Sequence, residues 1–311
     1  MSQRFIAVLC MRAYEEVMVS FSENRTAALL MIGSMAAFTV NDTIIKSLSD
    51  DVPLFQAIFL RGVLASILLF GLCAVLKSFQ KGIARRDWAA VSWRTLSEAG
   101  AAYFFISALY NMPLANATAI LQALPLTVTL AGALFLGETV GWRRMTAILI
   151  GFVGVLLIVR PGMAGFNIYS LYCLAAVACV TARDIATRKL TKDTDSMVVT
   201  LVSSINVTLF AGLMSLGETW GAITPEVALT LLATAVSILF AYLFSVMVMR
   251  VGDISFVAPF RYTALLFAIV LGYFAFGDWP DNLTLLGSAI LVATGLFSYM
   301  RERKLALQRS A

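Results

Sequence analysis

Histidine is absent from this 311-residue chain, and only 13% of its residues are charged. Without histidine the usual proton carrier near neutral pH is missing, so any proton coupling has to run through a carboxylate. A soluble domain carries about 25% charged residues. So few charges, with 60% hydrophobic residues and a mean hydropathy of +0.87, place the chain in a bilayer, with membrane lipid around it. The four cysteines, Cys10, Cys73, Cys173 and Cys179, show no metal-ligand spacing, and three of them lie in apolar runs, which argues against metal or disulfide roles. No GxxxxGK[ST] phosphate loop is present, so direct use of ATP has no support. An intramembrane enzyme would need a nucleophile-base pair or a metal constellation, and neither is visible. No enzymatic activity and no cofactor are therefore expected.

What the chain does contain is long apolar runs. A membrane-spanning helix needs about 20 such residues. Runs bounded by charge, Pro or Gly fall at about 26–48, 53–77, 89–111, 114–137, 142–160, 166–186, 196–217, 226–250, 253–277 and 282–300. Asn111-Met112-Pro113 alone joins the third to the fourth, and Val251-Gly252 the eighth to the ninth, so these pairs are expected to be adjacent and antiparallel. Residues 1–25 hold an apolar stretch from Phe5 to Met11 that is too short to cross, beside Glu15, Glu16 and Glu23. This segment reads as a cytoplasmic extension lying on the surface or disordered, not as a signal peptide.

The net charge of +5 raises the question of nucleic acid, but the basic residues sit in short loops between apolar runs, without an aromatic-basic platform. They read as topology signals, and no nucleic-acid partner is expected. Most of the 23 basic residues cluster on one side, with Lys46 and Arg160 towards the other, which predicts both termini in the cytoplasm of a bacterial inner membrane protein.

The first five spans and the last five have nearly equal lengths, and their landmarks recur. Asn41-Asp42 is followed by Lys46, and Arg183-Asp184 by Arg188, each basic residue one helical turn after its aspartate. Leu136-Gly137-Glu138 closes the fourth span, and Phe276-Gly277-Asp278 the ninth. An odd number of spans per copy inverts the second copy, and inverted repeats place a solute site between the halves. The fold class expected is an all-α membrane protein, ten transmembrane helices as two inverted five-helix repeats. Its parts are an extension at 1–25, repeats at 26–162 and 166–303, and a cytoplasmic tail at 304–311.

Ionisable residues inside a span cost a few kcal/mol, about 2.5–3.5 on insertion scales, and normally face protein or a water-filled cavity. Asp42, beside Asn41, either presents a carboxylate with Lys46 to a zwitterionic solute or merely neutralises Lys46. Arg61 offers a guanidinium that can hold a carboxylate through two parallel hydrogen bonds, or pairs with Asp42 as a gate. Arg261 and Tyr262 follow Pro259 and are placed in the cavity, with Asp184 or Asp253 as the alternative partner of Arg261. Gln122 sits near Pro125 in the fourth span. Glu98, one turn after Arg94, is an interfacial pair or, with Asp42 and Asp184, a candidate for proton coupling or gating. The glycine-rich fifth and tenth spans read as scaffold or a homodimer surface. Tyr103, Phe104, Phe105, Tyr110, Phe240, Tyr242 and Phe244 are by default mostly core or lipid-facing, with stacking of a few on a solute as the alternative.

With these residues in view, the chain resembles the drug/metabolite transporter superfamily of EamA type over about residues 26–303. The segments NDTIIK, LFQAIFLRG, RDIATRKL, APFRY and FGDWPDNLTLLGSA are similar to those of its branch of bacterial S-adenosylmethionine uptake carriers. Glu98 departs from that pattern, standing where an apolar residue is expected. The resemblance implies secondary-active transport of a small-molecule solute by alternating access.

Overall fold

The computed structural model describes the backbone of residues 3–310 apart from 81, 139, 163–165, 192 and 252–256. It describes side chains from residue 24 to residue 304, apart from those stretches and 246, 249–251, 302 and 303. The Val251-Gly252 link and the alternative partner Asp253 thus lie outside the described residues. Every regular element described is helical.

Ten crossings follow one another in the order expected. They are Gln3–Ser47, Leu54–Val75, Trp88–Asn111, a fourth made of Leu114–Leu121 and Leu124–Phe135, and Trp142–Val159. Tyr169–Arg188, Ser196–Ser215, Pro225–Val251, a ninth from Ala258 to Phe276, and Asn282–Ser310 complete them. Among the described residues, nine are long and apolar enough to cross a membrane. The third, Trp88–Asn111, has the length but carries Arg94 and Glu98 on a 24-residue helix; its charges face a neighbouring crossing and not lipid. Large apolar side chains such as Phe70, Leu134, Phe135, Leu156 and Phe274 point outward, as a lipid-facing surface requires.

The first helix does not begin where the apolar run does. It is continuous from Gln3 to Ser47, 45 residues and about 68 Å at 1.5 Å per residue. Residues 3–32 contain neither Gly nor Pro, so nothing in the backbone interrupts the helix as it passes from the extension into the span.

Two crossings are broken, and proline accounts for the first break. Pro125 has no N–H to give to the carbonyl of residue 121, and the first half of the fourth crossing ends at Leu121. In the ninth crossing the turn Ala258–Tyr262, which contains Pro259, is 3-10 and becomes α-helical at Thr263. Gln122 and Tyr262, 140 positions apart, occupy the two breaks. The ends of these crossings match as well. Gly137 and Gly277 each adopt φ 70°, and the next residue donates its N–H six positions back: Glu138 to Gly132 at 3.2 Å, Asp278 to Gly272 at 3.1 Å. Glycine is needed at both places because other residues adopt positive φ only with strain.

The packing repeats too. The first crossing lies against the eighth as the sixth lies against the third, and the second against the eighth as the seventh against the third. The first meets the ninth as the sixth meets the fourth. The second and seventh, fourth and ninth, and fifth and tenth each pair with their own counterpart. Exchanging the two repeats leaves this list unchanged, which is what a two-fold relation between them demands. With ten crossings, both ends of the chain emerge on one face, here the terminal face; the opposite one is the distal face.

Candidate functional site

Between the second, third, seventh and eighth crossings lies a cavity of about 80 Å³, lined by Arg61, Arg94, Glu98, Ser203, Ser204 and Tyr242 among others. Its polar lining is drawn from crossings that are otherwise strongly apolar, so these side chains converge inward because facing lipid would leave them unsolvated.

Around Glu98 the charges saturate one another. Arg183 places Nη1 3.3 and 3.4 Å from the two Glu98 carboxylate oxygens, and donates to its neighbour Asp184 through Nε at 3.0 Å and Nη2 at 2.8 Å. Arg94 stands 3.9 Å from Glu98, its partner one turn away, and donates instead to Thr187 Oγ1 at 3.1 Å and to Ser203 Oγ. Glu98 therefore belongs to a network between the third and sixth crossings more than to the helical pair with Arg94.

Arg61 is held differently. Its Nη1 reaches the side-chain oxygen of buried Asn41 at 3.5 Å, and Asn41 Nδ2 donates to Asp42 Oδ1 at 3.0 Å. Asn41 thus relays between the guanidinium and the carboxylate, and the long contact leaves most of the five Arg61 donors for other partners. Taken together, four guanidinium groups in this region (Arg61, Arg94, Arg183, Arg261) stand against three carboxylates (Asp42, Glu98, Asp184), and the balance is positive.

Lys46 is not part of this constellation. Its ammonium donates to the carbonyls of Leu109 at 2.9 Å and Met112 at 2.8 Å, at the end of the third crossing, and lies 5.2 Å from the Phe276 ring centre. A cation at a helix C-terminus satisfies carbonyls that have no intrahelical partner. This satisfaction is available 63 and 66 residues away in sequence, and it replaces the expected pairing with Asp42.

Arg261 is exposed although it lies inside the ninth crossing, and Asp184 and Arg183 are within electrostatic reach of it. Tyr262, in contrast, is buried with its ring packed on Gly295 of the tenth crossing, where any side chain would overlap the hydroxyl. It fills a helix interface and is not brought to the cavity. Gln122 is buried at the break in the fourth crossing; five residues beyond it, Thr127 meets Thr181 of the sixth at 2.7 Å. Tyr242, expected in the core or against lipid, lines the cavity instead, together with Ser203 and Ser204, for which the sequence raised no expectation. The signal for the two serines is a set of hydroxyl groups on one face of the seventh crossing, Thr200, Ser203 and Ser204.

Outside the membrane, the loop before the third crossing is tied to the loop before the seventh. Asp87 accepts from Thr191 N at 3.1 Å, Thr191 Oγ1 at 2.7 Å and Thr194 Oγ1. These hydrogen bonds, that of Thr194 first, hold its carboxyl below the usual range.

The model of the EamA-like transporter family matches the chain twice, over residues 25–160 and 167–300. The S-adenosylmethionine uptake transporter of Rickettsia conorii is 28% identical over 280 residues, 87% of this chain and 91% of its own length. The riboflavin transporter of Vibrio cholerae is 29% identical over 195 residues, covering 63% of this chain and 65% of its own. A solved crystal structure at 19% identity superposes with a TM-score of 0.62, covering 90% of this chain and 99% of that one; this is a likeness of fold alone.

Proposed function

The chain belongs to the EamA-like transporter family, and from that premise we propose that it is a secondary-active carrier of a small zwitterionic or anionic metabolite working by alternating access. It is a multi-pass membrane protein, and the reading places it in a bacterial inner membrane with both termini in the cytoplasm. The observation that carries the solute class is the loosely held Arg61 beside a cavity whose surrounding charges sum to an excess of guanidinium. A carboxylate on the solute would complete that balance and accept the fork of Arg61 donors. S-adenosylmethionine carries such a carboxylate, and the relative from Rickettsia conorii is named for its uptake.

A cavity of about 80 Å³ is smaller than the roughly 300–1,000 Å³ typical of metabolite pockets, so a metabolite of that size requires the repeats to part. Purified protein in liposomes, offered labelled S-adenosylmethionine, riboflavin and amino acids, tests the reading. Saturable uptake of a carboxylate-bearing solute supports it. Transport of riboflavin alone would overturn the carboxylate assignment, and transport of none of these solutes would remove the solute class.

A further inference from the structure

The two repeats place an acid and a base at corresponding positions on opposite faces, and the structure shows them in different states. Lys46 and Arg188 are 142 positions apart, Glu138 and Asp278 140 apart, and both acids follow a glycine at φ 70° in the same hydrogen-bonded turn. On the terminal face, Arg188 Nη1 sits 2.9 Å from Glu138 Oε1, tying the sixth crossing to the end of the fourth. On the distal face the equivalent residues would tie the first crossing to the end of the ninth, but there Lys46 donates to the Leu109 and Met112 carbonyls.

We propose that Arg188–Glu138 and Lys46–Asp278 are one latch built twice, one per face, and that the two close alternately as the repeats rock. This rests on the transport reading. Lys46 has two places for its charge: the carbonyl end of the third crossing, which favours a cation, and Asp278, two residues beyond the Phe276 ring it already overlies. Each latch joins a crossing of one repeat to a crossing of the other. A rigid rotation about the two-fold relation that closes one of them separates the other. The closed latch is about half exposed, 44% and 47% at its two side chains. Such pairs contribute little to stability, which suits a contact that must break in every cycle.

The full-length protein in liposomes, with its four cysteines replaced by alanine, provides the test. Lys46→Cys with Asp278→Cys reports closure of the distal latch by disulfide formation under an oxidant. Adding Arg188→Gln is expected to raise the rate of that cross-link by about 1.4-fold to fivefold, the range an exposed ion pair can supply. Replacing Arg188→Gln by the exchange of Arg188→Glu with Glu138→Arg is expected to return the rate to its starting value. Gel filtration and the exchanged variant separate this from misfolding. A cross-linking rate that ignores Arg188→Gln, or that the exchange fails to restore in a well-folded protein, overturns the latch. Cross-linking needs no solute, so an unresponsive cross-link with normal uptake removes the latch alone. A responsive cross-link without uptake of any offered solute removes the solute reading alone.

Discussion

Of the three seams in which a crossing meets its own counterpart, the fifth–tenth and the second–seventh are made of different material. In the fifth–tenth seam backbone meets backbone: a Cβ on Gly154 would lie 2.8 Å from the Gly287 carbonyl oxygen, and one on Gly287 would lie 2.6 Å from that of Gly154. In the second–seventh seam the close approach is to side chains. Gly62 faces the Thr208 hydroxyl, and Ser66 and Ser204 share a hydrogen bond of 2.8 Å. Gly62, Ser204 and Val207 also line the cavity. Interlocked backbones can neither exchange partners nor yield, whereas hydroxyls can trade one another for water or a solute. The fifth–tenth seam is suited to be a pivot, and the second–seventh seam a surface that works.

The most severe way to break this contrast is to add a methyl group on each side. Gly154→Ala and Gly287→Ala must displace backbone and are each expected to cost about 1–3 kcal/mol of stability. Gly62→Ala can be relieved by turning Thr208 and is expected to cost less than about 1.5 kcal/mol. Thermal melts in detergent check the order, and equal losses would erase the distinction. Next in size, Arg61→Ala is expected to lower uptake at least about tenfold, the loss of a charge-assisted contact of roughly 1.5–3 kcal/mol, while leaving the melting temperature near wild type. Ser66→Ala and Ser204→Ala, singly and together, should show a coupling of about 0.6 kcal/mol. No coupling would mean that the hydroxyls do not hold that seam.

The smallest effect lies outside the membrane. Because the folded Asp87 carboxyl is held below its unfolded value, its stabilisation is present above the unfolded value near pH 4. It is lost as pH falls through the lower, folded value. Asp87→Asn should therefore reduce stability at pH 7, and the gap to wild type should narrow in melts taken progressively further below the unfolded value near pH 4.

Much of this was open to reading from residues alone, and the reasons are specific. An apolar run of about 20 residues has few meanings, so the crossings could be counted. The Gly137-Glu138 and Gly277-Asp278 turns marked the repeat because a left-handed backbone leaves a glycine behind. The partner of Lys46 could not be read, since the carbonyls of Leu109 and Met112 carry no signature in side-chain chemistry, while Asp42 one turn away offered a ready but mistaken partner. Nor does anything in the eighth crossing distinguish Tyr242, which reaches the cavity, from Phe240, which is exposed. Tyr262 misled for the opposite reason: beside Arg261 it resembled cavity lining, but the bare backbone of Gly295 drew its ring into the tenth crossing. In the extension before the first span, the apolar stretch is too short to cross a membrane, a property unrelated to the power of the segment to stay helical.

The most direct test of the site is whether Arg61 reads a carboxylate. Initial rates of uptake into liposomes would be measured for S-adenosylmethionine and for its decarboxylated form, with wild type and with Arg61→Ala. The expected result is that wild type prefers the carboxylate-bearing form by at least about tenfold and that Arg61→Ala loses the preference. An equal preference in both proteins would contradict the assignment of Arg61 to the solute.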